Sequence, residues 1–125
     1  MRQVNRRGFT LVELIMVIVI LGIIAAISIP KYVDLSSQAK TAAAKGAIGT
    51  IRAAVAIKYA ENAANGSASY PSSLTGALFA DGNVPTNPLS PESNAVVTSY
   101  NGTGGWVYNS ATGSVESNDA AHTAL

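Results

Sequence analysis

The sequence predicts an α+β fold in which a long N-terminal α-helix packs against a small C-terminal antiparallel β-sheet. Three features predict it: an apolar run over residues 9–29, an alanine-rich stretch over residues 31–65, and runs of β-branched and aromatic residues within 95–125. Residues 66–94 are rich in Ser, Gly, Asn and Pro and are predicted to form a connecting loop. A chain of 125 residues is long enough for one small domain beside the apolar helix.

The apolar run of residues 9–29 is long enough to span a membrane as a helix. At about 1.5 Å per residue it covers roughly 31 Å, close to the thickness of the hydrocarbon core of a bilayer. Every face is apolar, as in helices surrounded by lipid or by other helices. Arg2, Arg6 and Arg7 precede the run, so we expect a cytoplasmic N-terminus and an extracytoplasmic C-terminal part.

One carboxylate, Glu13, lies inside this apolar run. A charged residue at such a position costs about 2.5–3.5 kcal/mol on insertion scales, so a simple membrane anchor has no use for it. Either Glu13 lies near the cytoplasmic interface and reaches water, or it needs a cationic partner. A free amine created by cutting the chain just before Phe9 would be such a partner.

Residues 6–13, with the sequence Arg-Arg-Gly-Phe-Thr-Leu-Val-Glu, resemble the processing motif of bacterial type IV pilins and type II secretion pseudopilins. The matching features are a short basic leader, Gly8 before the cut, Phe9 after it, and Glu13 as the fifth residue of the product. The apolar run follows the cut, as in this family. Pro30, which closes the run, matches a proline that is common in these subunits.

The resemblance implies that a prepilin peptidase removes a leader of residues 1–8, cutting between Gly8 and Phe9, and then N-methylates Phe9. It implies that Glu13 faces the new amine on a neighbouring subunit, where apolar surroundings strengthen the attraction. The implied partners are identical subunits in a helical homopolymer, the prepilin peptidase, an inner-membrane assembly platform with its motor ATPase, and membrane lipid before assembly. The implied location is the inner membrane first and a cell-surface pilus after assembly.

The implied function is that of a structural subunit of a type IV pilus, which serves adhesion, motility or DNA uptake. Two alternatives stay open. A type II secretion pseudopilin has the same N-terminal motif, although the aspartate-rich calcium loop of major pseudopilins is not evident, unless Glu116, Asn118 and Asp119 form a reduced version. The other alternative is a single-pass anchored binding module that never polymerises. The cysteine pair of many type IV pilins is absent as well.

The composition excludes other classes of protein. The chain has no cysteine and a single histidine, His122, so it has no disulfide framework and no His-rich zinc site. A net charge of +1 argues against a general nucleic-acid binder. No nucleotide-binding or hydrolase motif is present, so we expect no enzymatic activity, no cofactor and no metal. After Lys58 the sequence contains Asp and Glu but no Lys or Arg. This asymmetry of charge is informative about membranes and assembly.

Residues 9–30 are the predicted membrane-spanning or filament-core helix, and residues 31–65 its amphipathic continuation. Gly22 and Pro30 weaken the helix, so we expect a kink or a break near residues 26–30. A glycine signal at residues 62–66 predicts its end.

The predicted packing between helix and sheet involves an apolar stripe on the helix and one aromatic residue of the sheet. These residues are Ile48, Ile51, Val55, Tyr59 and Trp106. The predicted sheet is a three-stranded antiparallel meander over residues 95–100, 105–109 and 113–117, with an Asn-Gly turn between the first two strands. The sequence also predicts a short helix within residues 72–79 and a further strand near residues 83–84.

Overall fold

The computed structural model describes residues 8–125; Arg2, Arg6 and Arg7 of the predicted leader lie outside the described residues. The chain divides into two compact units, Met1–Ser37 and Gln38–Leu125. One helix, α1, runs from Leu11 to Ala64 and contributes to both units. The predicted long N-terminal helix is therefore confirmed.

The described part of the first unit is the N-terminal half of α1, and its side chains are exposed throughout. The large apolar side chains there include Phe9, 84% exposed, and Leu35, 64% exposed. α1 contains a window that is long and apolar enough to cross a membrane, and none of that window is buried within the chain. This exposure distinguishes it from the core helix of a soluble protein, which packs against the rest of its own domain.

α1 continues through Gly22 and Pro30 as an unbroken α-helix. The expected break near residues 26–30 is therefore wrong, whereas a kink at this point stays a prediction. Proline removes one backbone hydrogen bond, and the helix continues on both sides of it, from the alanine- and isoleucine-rich residues 23–29 into residues 31–37.

The C-terminal end of α1 confirms the predicted glycine signal. Gly66 has a φ of +87°, its N–H donates to the Ala63 carbonyl at 3.0 Å, and the N–H of Ser67 donates to the Asn62 carbonyl at 3.0 Å. This pair of bonds is a Schellman motif, which satisfies two of the carbonyls that a helix end leaves free.

The second unit contains a three-stranded sheet in the order β1 (Val96–Val97), β2 (Trp106–Asn109) and β3 (Ser114–Ser117). β2 and β3 are antiparallel, with Tyr108 opposite Val115. β1 and β2 are parallel, with Val96 opposite Trp106. The α+β class is confirmed, but the sheet is mixed, and the expectation of an all-antiparallel meander is wrong for its first pair of strands.

Two glycines explain the parallel pair. Parallel strands normally need a connection of about a dozen or more residues, and residues 98–105 are fewer. Gly104 and Gly105 have φ of +92° and +79°, and a Cβ at either would overlap the carbonyl of Pro91 or of Ala95, respectively. The chain therefore loops back tightly, and the Trp106 N–H donates to the Ala95 carbonyl at 2.8 Å.

The connecting region is less regular than expected. Its helix is a single 3-10 turn, Gly76–Leu78. No strand forms at residues 83–84, where Pro85 follows directly and supplies no N–H to a ladder. An isolated antiparallel bridge joins Asn87 to Ser93 instead.

The core of the second unit lies between α1 and the sheet. Its buried members are Ile48, Ile51, Val55, Leu74, Trp106, Tyr108 and Val115. Four of the five residues predicted to pack helix against sheet thus lie in one cluster. The fifth, Tyr59, is half-buried and contacts the ring of Tyr70 at a centroid distance of 4.7 Å.

Candidate functional site

The carboxylate of Glu13 closes the N-terminal turn of α1. Its Oε2 accepts hydrogen bonds from the Thr10 backbone N–H at 3.0 Å and from the Thr10 hydroxyl at 3.1 Å. In return the Glu13 N–H donates to Thr10 Oγ1 at 3.2 Å. This reciprocal pair is a capping box, with Thr10 directly before the first helical residue, Leu11. The helix begins here because side chains satisfy amides that have no partner within the helix.

The sequence alone led us to expect that Glu13 either reaches water at the cytoplasmic interface or pairs with an amine on another subunit, and we did not predict this partner within the chain. The signal was present, since Thr-x-x-Glu before an apolar run is the capping-box pattern. The positive end of the helix dipole also favours a carboxylate at this position. Before any assembly, therefore, Glu13 is not a bare charge at the edge of an apolar segment: it is hydrogen-bonded to its own helix end.

The predicted cleavage bond, between Gly8 and Phe9, lies just outside α1. Among the described residues, no atom beyond the chain neighbours of Gly8 lies within 4 Å of the position that a Cβ there would take, and the Phe9 side chain is 84% exposed. Proteases bind their substrates as extended backbone, so a non-helical bond with open surroundings is accessible to one. Phe9 and Glu13 lie at the same end of α1, one helical turn apart.

In the second unit, hydrogen bonds from core aromatics hold the connecting loop on the sheet. Trp106 is fully buried, and its Nε1–H donates to the Pro85 carbonyl at 2.7 Å. The Tyr108 hydroxyl donates to the Pro71 carbonyl at 2.7 Å. Burial raises the pKa of Tyr108, and nearby Tyr70 adds to the effect, so the hydroxyl stays a donor at neutral pH. Residues 71 and 85 are thereby fixed to β2.

A buried amide, Asn118, organises the loop between β1 and β2. Its Oδ1 accepts from the backbone N–H of Asn101 at 2.9 Å and of Gly102 at 3.1 Å, and its Nδ2 donates to the Gly104 carbonyl at 2.8 Å. Nothing in the sequence marked Asn118 for this role, because its partners are backbone atoms brought together only by the tertiary fold.

Asp119 is a second buried polar residue, 2% exposed. It accepts hydrogen bonds from the Ser117 hydroxyl and from the Thr123 N–H, at 3.0 Å, and hydroxyl, at 2.8 Å. Burial by itself acts to raise the pKa of Asp119, but the hydrogen bonds from Ser117 and Thr123 outweigh it and hold the pKa below its ordinary value.

These contacts bear on the reduced calcium loop considered for Glu116, Asn118 and Asp119. The polar side-chain atoms of Asn118 and Asp119 are hydrogen-bonded to other groups of the protein. Within residues 8–125, no group of three or more His, Cys, Asp or Glu side chains is placed to hold a metal ion. The hydrogen bonds of Asn118 and Asp119 are therefore sufficient to explain the conformation of this region.

Residues 4–29 match the family described as the prokaryotic N-terminal methylation motif. The chain is 49% identical over 51 residues to the type IV narrow pilus major component PilA5 of Thermus thermophilus, covering 41% of this chain and 44% of that protein. It is 41% identical over 76 residues to the type II secretion system core protein G of Pseudomonas aeruginosa, and this alignment covers 61% of this chain and 50% of that protein. It is 44% identical over 50 residues to the type IV major alpha-pilin of Moraxella bovis, and this alignment covers 40% of this chain and 31% of that protein.

The chain thus spans half or less of the length of these relatives. No solved structure matches it. Pilins and pseudopilins are structural subunits and not enzymes. The methylation motif, the exposed apolar segment of α1 and the alignments to both kinds of subunit agree: over its N-terminal part, the chain is similar to type IV pilins and type II secretion pseudopilins.

Proposed function

We propose that this chain is a structural subunit of a type IV pilus filament, held in the inner membrane through residues 9–29 and polymerised after processing. The observation that carries the proposal is the stretch of α1 up to residue 29, which is apolar on every side except at Glu13, is unburied, and lies within the match to the N-terminal methylation motif. Such a helix needs lipid or other helices around it. A filament built around these helices supplies the second environment.

Processing is the first proposed step. A prepilin peptidase cuts between Gly8 and Phe9 and N-methylates the new amine of Phe9. The match over residues 4–29 and the open, non-helical surroundings of this bond support the step.

Assembly is the second proposed step, and it exchanges lipid contacts for contacts between helices. Lipid tails are as apolar as the helix, so burial of apolar surface does not drive the exchange, and close packing, polar pairing and external work must do so. We assign the external work to an inner-membrane platform with a motor ATPase. The resulting filament is a helical homopolymer of this chain on the cell surface.

Glu13 supplies the polar pairing in this scheme. In the single chain its carboxylate accepts two hydrogen bonds from Thr10. During docking it pairs with the amine of Phe9 on a neighbouring copy. If a subunit docks in the wrong register, the amine lies in an apolar environment without its carboxylate partner. An unpaired charge in such an environment costs free energy. Glu13 thereby penalises incorrect docking.

The second candidate function is that of a type II secretion pseudopilin. The similarity to the core protein G of Pseudomonas aeruginosa favours it, since this alignment covers more of the chain than the two pilin alignments above. Both candidates share processing and polymerisation.

The decisive experiment is intact-mass measurement and N-terminal sequencing of the chain purified from bacterial membranes with its peptidase present. We expect a chain that begins at N-methylated Phe9. Gly8→Val should block cutting, because a branched side chain obstructs the close approach of the peptidase backbone. Gly22→Ala, a glycine change inside α1, is the matched control and should be processed normally. A purified wild-type chain that still begins at Met1 would refute the processing step.

A further inference from the structure

The dipeptide Asn-Gly occurs twice in the second unit, at residues 65–66 and 101–102. The first pair directly follows α1, and the second lies in the connection between β1 and β2. Asparagine followed by glycine is a reactive pair, because the backbone nitrogen of the second residue can attack the side-chain carbonyl carbon of the first, and glycine has no side chain to obstruct the approach. The function proposed above uses neither pair.

The side chain of Asn65 is free to move. Within residues 8–125, no hydrogen bond reaches this side chain, and residues 65–67 are all exposed. The nucleophile of the pair, the Gly66 nitrogen, donates its N–H to the Ala63 carbonyl at 3.0 Å, in the last turn of α1. Because the end of a helix opens locally at little cost in free energy, this nitrogen is released from its hydrogen bond repeatedly.

Asn101 is exposed as well, but hydrogen bonds hold both reacting groups of its pair. Its Oδ1 accepts from the Thr103 N–H at 3.1 Å, from the Thr103 hydroxyl at 2.7 Å and from Asn118 Nδ2 at 2.8 Å. The Gly102 N–H donates to Asn118 Oδ1 at 3.1 Å. Asn118 is fully buried and is itself fixed to the Gly104 carbonyl. Release of this pair therefore requires that a buried network opens.

We propose that Asn65 is a site of spontaneous deamidation, and that Asn118 protects the second pair, Asn101 and Gly102, from the same reaction. The nitrogen of Gly66 forms a bond to Cγ of Asn65 and gives its proton to solvent. The bond between Cγ and Nδ2 breaks, and the amide nitrogen leaves as ammonia. Water then opens the cyclic imide at either carbonyl, which produces aspartate or isoaspartate. The net reaction consumes water and releases ammonia.

The product changes the end of α1. Either form of it places a carboxylate at the C-terminal end of the helix, where the negative end of the helix dipole disfavours one. Isoaspartate also lengthens the backbone between residues 65 and 66, so the hydrogen bonds from Gly66 to Ala63 and from Ser67 to Asn62 lose their geometry. The reaction requires only that residues 65–66 contact water, so it is independent of the filament proposed above.

Peptide mapping by mass spectrometry compares the two sites in the full-length chain, incubated in detergent micelles in a mildly alkaline buffer. We expect Asn65 to deamidate at least about tenfold faster than Asn101 in the folded chain, the ratio that about 1.4 kcal/mol of additional barrier produces. In guanidinium chloride both pairs lose their structure, and the two rates should converge. Equal rates in the folded chain, or a faster reaction at Asn101, would overturn the proposal.

Two variants test the protection. Asn118→Ala releases both reacting groups, and we expect deamidation of Asn101 to accelerate at least about fivefold while the rate at Asn65 is unchanged. Thr103→Val removes only the hydroxyl donor at Oδ1, and the rate at Asn101 should rise about twofold. This milder change serves if Asn118→Ala does not fold, which the fluorescence of buried Trp106 reports. An unchanged rate at Asn101 in either folded variant would contradict the protection.

The matched control removes the reacting group at the exposed site. Asn65→Ser leaves the second Asn-Gly pair in place, and we expect the ammonia released by the folded chain to fall to background over the same incubation. Combined with Asn118→Ala, the same substitution should release ammonia again, now from Asn101. Ammonia released by Asn65→Ser alone at the wild-type rate would place the reaction elsewhere in the chain and would overturn the assignment to Asn65.

Discussion

Glu13 combines two properties, a negative charge and the capacity to accept hydrogen bonds from Thr10. The capping box uses the hydrogen bonds, whereas pairing with a neighbouring amine uses the charge. Substitution at one atom separates the two, because glutamine also serves in a capping box but carries no charge.

We predict that Glu13→Ala and Glu13→Gln both insert in the membrane at least as well as the wild type, since each removes a charge that costs about 2.5–3.5 kcal/mol to bury. Both should fail to form filaments. Membrane fractionation measures insertion, and electron microscopy of sheared material measures assembly. Normal filaments from the Gln variant alone would mean that capping is the role of Glu13. Unchanged function in both variants would support an anchored module that never polymerises.

Asp119 predicts how the stability of the second unit depends on pH. Its pKa in the folded chain lies below the ordinary value of 3.8. A carboxyl group with a lowered folded-state pKa stabilises the fold fully above its unfolded pKa, and loses that contribution as pH falls through the folded value. The stabilisation should therefore be complete at neutral pH and decline on acidification below about pH 4.

We expect Asp119→Asn to destabilise the folded chain at pH 7 by about 1–3 kcal/mol and to weaken the loss of stability in acid. The measurement is denaturant unfolding in detergent, followed by the fluorescence of Trp106, which is the only tryptophan and is fully buried. Glu92→Gln, a change at an exposed carboxylate, should leave the pH dependence as in the wild type. An equal acid response in the Asp119 variant would contradict the assignment.

At the scale of elements, the parallel pairing of β1 with β2 depends on backbone conformations that only glycine adopts easily. The Asn-Gly pair at residues 101–102 indicates a hairpin turn when read alone. Gly104 and Gly105 follow it, and their approach to the backbone of residues 91–95 turns the chain back on itself. The close backbone contact of these glycines, and not the turn preference of Asn-Gly, therefore determines how β1 pairs with β2.

We predict that Gly105→Ala destabilises the second unit by about 3 kcal/mol or more, because the new methyl group adds overlap with the Ala95 carbonyl to the strain of a positive φ. Gly82→Ala is the control, with a φ of +74° and open space around the position of the Cβ, and it should cost only about 1 kcal/mol. Unfolding followed by Trp106 fluorescence compares the two. Equal losses would show that the close contact is unimportant.

At the scale of the whole molecule, the two units have different requirements. The second has a buried core of its own. The described part of the first has no buried side chain and needs surroundings that the chain does not supply. A membrane or a polymer would supply these surroundings, which is why the function we propose is that of a subunit in an assembly.

Deletion of the chain distinguishes the two candidate assemblies. If the chain is a pilin, we expect long surface fibres to disappear on deletion and to return on complementation, with enzyme secretion unchanged. If it is a pseudopilin, secreted enzymes should accumulate inside the cell and the fibres should be unaffected. Electron microscopy and assays of culture supernatants measure these results. A deletion strain with normal fibres and normal secretion would contradict both.

Residue order alone was enough to identify the apolar span, the N-terminal methylation motif, the apolar stripe of α1 and the glycine at its end. All of these depend on neighbours along the chain or on the period of one helix, which are local properties. The capping box of Thr10 and Glu13 is equally local, because its two residues are three positions apart.

Only the tertiary fold decided the parallel strand pair, the irregular connecting region and the buried roles of Asn118 and Asp119. Each depends on backbone groups far apart in sequence, which have no partner until the chain has folded. Asn118, for example, binds backbone atoms of residues 101–104. The same holds for charge: the sequence lists the lysines and carboxylates, but which of them already have partners follows from their placement in space.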